Sequence, residues 1–184
     1  MKILTTLIGL LLLLPAASAA ADGDKTAVLQ LGPARLIALA DAQGEFNLNN
    51  VLTPAYVEQG KALAPDGKMK SYVNAYLLQM DGRNILIDTG LGAEKGGQLL
   101  NALAEVNVKP EAIDIILITH LHLDHAGGLY NQGQEVFSKA VLWVAEEEAR
   151  FWRDTENLPA GQQGSADAAR QALKAANQIG GAHV

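Results

Sequence analysis

The chain of 184 residues contains no cysteine. Disulfides are therefore excluded, as are thiolate nucleophiles and cysteine-rich zinc sites. Stability has to come from the apolar core and from any bound metal. Basic residues are in the minority, with 14 Lys and Arg against 20 Asp and Glu and a formal charge of −6. That balance argues against nucleic acid as a partner, because phosphate binding needs a basic face. The sequence has no internal repeat, no low-complexity linker and no run of like charge long enough to form a tail. It also lacks a long hydrophobic run. The apolar stretch Ile3 to Leu14 is broken by Thr5, Thr6 and Gly9, and it falls short of the roughly 20 residues a spanning helix needs.

What that stretch does offer is an export signal. Lys2 supplies the positive start, Leu7 to Leu14 the apolar core, and Pro15-Ala16-Ala17-Ser18-Ala19 a small-residue cleavage site. Residues 1–21 are expected to be removed after Ala19 or Ala21. The product would be a soluble protein in the periplasm or outside the cell, free of the membrane; a retained anchor is the alternative. The remaining residues, 22–184, suit one domain. Their composition is ordinary for a globular protein, with 49% hydrophobic and 18% charged residues overall.

The pattern predicts alternating strands and helices, hence an α/β class. A first strand is expected near Ala34 to Ala40, then turn residues Asp41 to Gly44 and an irregular stretch from Phe46 to Lys70. The clearest signal is a hairpin: Ser71 to Met80, the tight turn Asp81-Gly82, and Asn84 to Asp88. A helix follows at about Gln98 to Val106, with Leu99, Leu100, Leu103 and Val106 on one stripe. Ile113 to Thr119 reads as a strand buried on both faces. A strand near Ala140 to Ala145, a helix from Glu146 to Asp154, and a last helix capped by Ser165 and ended by Gly180-Gly181 complete the reading.

Three of the four histidines fall within six residues, His120-Leu-His122-Leu-Asp124-His125, directly after the buried strand. In an extended segment residues i and i+2 point the same way, so His120 and His122 can grip one cation. A turn at Leu123 would swing Asp124 and His125 toward a second position nearby. Imidazole and carboxylate are the donors zinc prefers when sulfur is absent. Gly127-Gly128 lets the backbone fold closely behind the loop. Surface histidines on an ordinary loop are the alternative, but a bare His-X-His would suit that account better than this dense cluster does.

The run Ile118-Thr119-His120-Leu-His122-Leu-Asp124-His125-Ala-Gly127-Gly128 resembles the signature of the metallo-β-lactamase superfamily. Ile85-Leu-Ile-Asp88-Thr89-Gly90 resembles the strand and turn that precede it there. The likeness covers about Ser71 to Trp152. It implies an αββα sandwich carrying two metals at one edge, zinc or another divalent ion. By matching positions, His120 and His122 would hold the first ion, Asp124 and His125 the second, and Asp88 would support the loop from behind. Asp88 as the cap of a tight turn is an equally good account. Asp124 would also pass a proton to the leaving group. His125 resembles the hydrolase branches such as lactonases, and histidine at 122 argues against the flavodiiron branch. Residues Ala140 to Trp152 resemble secreted members related to lactonases and organophosphate hydrolases, in which Trp152 would border a small-molecule pocket; core packing of Trp152 is the alternative.

The family's remaining ligands, a third histidine, a bridging aspartate and a final histidine, have no evident counterpart. His183 stands without a strand or a Gly-His-Thr surround. The chain is therefore expected to be the first half of the sandwich, with strand residues such as Ile115, Leu117, Leu77 and Leu86 lacking a partner layer. The functional expectation is a hydrolase of lactone, thioester, phosphotriester or β-lactam bonds; the other reading is a non-catalytic metal-binding fragment. The sequence sets no oligomeric state.

Overall fold

In the computed structural model, residues 26–153 and 163–178 are described. The backbone forms β1 (Thr26–Leu31), β2 (Ala34–Asn47), α1 (Val57–Leu63), β3 (Lys68–Met80) and β4 (Arg83–Ile87). Next come α2 (Leu99–Glu105), β5 (Ile115–Ile118), the single turn α3 (Leu123–Ala126), the short pair β6 (Tyr130–Asn131) and β7 (Gln134–Glu135), β8 (Val141–Val144), α4 (Glu146–Arg153) and α5 (Gln163–Gln178). The main sheet runs in the order β1-β2-β3-β4-β5-β8. Its first four strands are antiparallel, and β4, β5 and β8 run parallel. The class is mixed α/β, as the sequence predicts.

The β3–β4 hairpin closes on Asp81 (φ 51°) and Gly82 (φ 73°). Positive φ at both central residues is what a two-residue turn needs to match the twist of its strands. Two expectations fail in the same region. Asp41 to Gly44 is not a turn: β2 continues through it, paired with β3 across a bulge between Ala40 and Ala42. The stretch expected to be irregular contains α1, and β3 already begins at Lys68. Long-range strand pairing has overridden the local turn composition of Asp41 to Gly44 and extends β3 back to Lys68.

Register explains the core. Ile37, Leu77, Leu86, Ile116 and Leu142 lie side by side across five strands, each 2% exposed or less. Residues of α2, α4 and α5 close over this row, among them Leu103, Trp152, Ala169 and Ala172. One residue along each strand, the side chains point to the other face. There Leu36, Leu78, Ile85, Ile115 and Val141 form a second row, of which the last three are half-buried. The expectation that β5 is buried on both faces is therefore corrected: Ile116 and Ile118 are buried, Ile115 and Leu117 only half so. Leu77 and Leu86 do not lack a layer; they are fully buried beneath the helices.

The last helix starts at Gln163, so Ser165 lies inside it and is not its cap. Gly180-Gly181 and residues 1–21 fall outside the described residues. Among those described, no helix is long and apolar enough to cross a membrane.

Candidate metal centre

The parallel strands β4, β5 and β8 all end at one edge of the sheet, the edge where α/β folds hold their ligands. Asp88 follows β4, Thr119 and His120 follow β5, and Glu148 lies in the first turn of α4 just after β8. Topology thus brings together groups far apart in sequence. His120 and His122 flank Leu121, whose side chain is fully buried, and α3 then turns the chain so that Asp124 and His125 follow at once. The ring of His120 lies 4.6 Å from that of His122 and 3.9 Å from that of His125, centre to centre.

Asp88 organises this cluster. It is 6% exposed, and its carboxylate accepts from the Thr119 amide at 2.8 Å, the Thr119 hydroxyl at 2.8 Å and His125 Nδ1 at 2.8 Å. A buried carboxylate needs such donors to offset its lost hydration. Thr119 has a single hydroxyl proton, committed to Asp88, so its oxygen is left to accept from His120 Nδ1 at 3.1 Å. In the neutral rings this pattern puts the proton of His120 and of His125 on Nδ1 and leaves Nε2 as the atom that can bind. That is the tautomer a metal-ligating histidine adopts when its other nitrogen donates to a neighbour. Asp124 Oδ2 sits 3.4 Å from His125 Nε2 and is about half exposed.

The electrostatics differ between the two rings. Burial would lower the pKa of His125, but the Asp88 hydrogen bond and charge, with Asp124 adding, outweigh it and raise the value above the usual 6.5. Burial, then His125 and His122, hold His120 below it.

The backbone behind the cluster is clamped as well. The His125 carbonyl accepts from the Thr89 amide at 2.7 Å and the Thr89 hydroxyl at 3.0 Å. A Cβ on Gly128 would collide with the Thr89 carbonyl, and one on Gly127 with that of Leu91. The close approach expected of Gly127-Gly128 is therefore made against the Thr89–Leu91 turn.

Trp152 is 1% exposed, with its ring edge-on to His122 at 5.8 Å. Its indole N–H donates to Glu148 Oε1 at 2.6 Å, and the same oxygen accepts the Leu121 amide at 2.7 Å. Thr89, Thr119 and Glu148 are the participants that sequence reasoning missed. Thr89 and Thr119 stood inside the two motifs without a role assigned to them, and Glu148 left only its i, i+4 spacing to Trp152 on one helix.

The donors fit a divalent cation in chemistry and in pairwise proximity. Among the described residues, however, no three His, Cys, Asp or Glu side chains are grouped as one ion would need. His183 lies outside the described residues.

A mixed sheet with helices packed on one face and a histidine loop at the carboxyl edge of its parallel strands defines the class of fold, an α/β domain. The chain belongs to the metallo-beta-lactamase superfamily, whose family model matches residues 70–179. It is similar to the solved hydrolase AbOPH of the beta lactamase superfamily, with 27% identity and a TM-score of 0.72 over 85% of this chain and 59% of that one. The dizinc quorum-quenching lactonase AidC shares the fold at 21% identity, with a TM-score of 0.65 over 82% of this chain and 60% of that one. The exodeoxyribonuclease WalJ of Streptococcus pneumoniae serotype 2 is 34% identical over 82 residues, which are 42% of this chain and 29% of that protein. The chain thus spans less than a third of this curated relative.

Proposed function

We propose that this chain carries part of the dinuclear metal centre of an exported hydrolase, acting on ester-like bonds of a small molecule. His120 and His122 would hold one divalent cation and Asp124 and His125 a second, with zinc the ion best suited to these donors. Support comes above all from one observation: Asp88 and Thr119 occupy the Nδ1 atoms of His125 and His120, so that in the neutral rings Nε2 is the atom available to bind. Divalent zinc bound there supplies Lewis acidity and water activated at neutral pH. Asp124, partly exposed beside His125 Nε2, is suited to take a proton and return it to the leaving group. Asp88 and Thr119 fix the tautomers, and Thr89 holds the backbone of His125 in place. Lactones rank first among the bonds cleaved, followed by thioesters, phosphotriesters and β-lactams. The acidic balance of the chain disfavours nucleic acid as substrate.

A second reading is a non-catalytic metal-binding unit. It is favoured by the lack, among the described residues, of a three-donor set for either ion. With two protein donors per ion among the described residues, weak affinity is expected, since each ligand short of a full set removes a bond and the preorganisation around it. Elemental analysis of dialysed protein, run beside a panel of chromogenic esters, separates the two. The 184-residue chain is expected to carry well under two zinc ions and to turn over little. A chimera continued with the second half of a relative should gain both, and His122→Ala in that chimera should abolish turnover. Full zinc loading and turnover by the unextended chain would eliminate the second reading, and a chimera without zinc would eliminate both.

A further inference from the structure

We propose that Glu148 is a positioning residue for the His120–His122 pair, a role that rests on the metal reading above. The ladder of β5 ends at Ile118, and the chain continues through the histidines without a strand on which to bond. Its alternate amides are taken by side chains from three separate elements. Thr119 donates to Asp88 at 2.8 Å, Leu121 to Glu148 at 2.7 Å, and Leu123 to Ser165 Oγ at a long 3.4 Å. The middle contact is the one between the two proposed ligands. Leu121 is held twice, by its fully buried side chain and by this amide bond. The amide bond orients the peptide plane between His120 and Leu121, and the buried side chain restrains the Cα between the two histidines, so the directions in which His120 and His122 leave the backbone are set together.

Glu148 differs from its neighbours on α4. Glu146 pairs with Arg150 at the surface and Glu147 is exposed, whereas Glu148 is half-buried. One of its oxygens receives two N–H donors, from Leu121 and from the Trp152 indole. Trp152 in turn packs its ring against His122. Carboxylate, indole and imidazole therefore form one assembly that carries the position of α4 to the histidine loop.

The experiment is a zinc competition titration against a chromophoric chelator, with amide and imidazole NMR of the metal-free protein. It compares the wild type with Glu148→Ala, Glu148→Gln and Trp152→Phe. Loss of the acceptor in Glu148→Ala should weaken zinc binding about 10- to 100-fold, the usual effect of removing a support behind a ligand. The Leu121 amide proton should move upfield and lose protection from exchange. Glu148→Gln keeps an acceptor oxygen and should stay within a few-fold of the wild type. Trp152→Phe keeps the Leu121 bond and should do the same. Equal zinc affinity and an unmoved Leu121 amide in Glu148→Ala would overturn the proposal, as would a Trp152→Phe loss as large as the alanine loss, which would mark a packing role. Should Glu148→Ala fail to fold, Glu148→Met fills the space without an acceptor and takes its place. If the wild type binds too little zinc to titrate, the zinc comparison is made in the chimera, where absence of zinc ends the metal reading, and the Leu121 amide and His122 ring shifts of the unextended chain still decide whether Glu148 positions the loop.

Discussion

Asp88 owes its reach to its backbone. Its φ of 59° places it in the left-handed region, which costs most L-residues roughly 1–2 kcal/mol but is tolerated by Asp and Asn. That turn swings the carboxylate off the end of β4 and onto the loop after β5. Asp88→Asn keeps the permitted backbone and removes the charge. In chelator-treated protein, His125 should titrate above the usual 6.5 in the wild type and lower in Asp88→Asn, where burial lowers it and only Asp124 still raises it. The same substitution should push the already depressed His120 lower, because Asp88 also supports protonation there. The sign for stability follows from the raised value. Protonated His125 stabilises the fold fully below the ordinary histidine pKa, and this contribution is lost as pH rises through the raised one. His120 works the other way, its contribution being present above the ordinary value and lost as pH falls from there through its depressed one. The melting-temperature gap between wild type and Asp88→Asn should therefore be widest in mild acid and narrow toward alkaline pH. Ring NMR with an unmoved His125 in the variant would refute the account.

Among the elements, those with local signals are legible in the sequence and those made by pairing are not. The Asp81-Gly82 turn, the leucine stripe of α2 and the apolar run of β5 each announce themselves within a dozen residues. Strand β1, with four of its six residues exposed, exists because β2 pairs with it. The extension of β2 through Asp41 likewise depends on partners in β3 some 30 residues away. The candidate site divides along the same line. Its four proposed ligands are adjacent and visible, while the bond from Leu121 to Glu148 spans 27 positions and that from Thr119 to Asp88 spans 31. No periodicity marks such links. The proposed export signal is the opposite case, read entirely from local composition. Strand β1 begins at Thr26, beyond Ala19 and Ala21, so cleavage at either leaves the sheet intact. Intact mass after expression in a Gram-negative host should show loss of the first 19 to 21 residues. Recovery of the full-length mass from the periplasm would count against export by a cleaved signal.

For the whole molecule, the two faces of one sheet have different surroundings. Helices α2, α4 and α5 pack on the row that runs from Ile37 to Leu142. The opposite face carries the row from Leu36 to Val141 and, beside it, Ala38, Tyr76, Ile87, Leu117 and Trp143 in register. Exposure increases toward β8, where Trp143 reaches 37%. A contiguous apolar face of this kind attracts hydrophobic partners or dyes. The mature chain should therefore bind a dye such as anilinonaphthalene sulfonate under native conditions. The alternation of strand side chains supplies the control, since neighbours along one strand serve opposite faces. Ile115→Lys and Leu117→Lys, on the less buried face, should reduce dye fluorescence while far-UV circular dichroism stays unchanged. Ile116→Lys, one position between them and 2% exposed, puts an unpaired charge beneath the helices and should destabilise the fold by more than about 3 kcal/mol. A monodisperse monomer that melts cooperatively and binds no dye would mean that the second face is satisfied within this chain, and the contrast between Leu117→Lys and Ile116→Lys would then disappear.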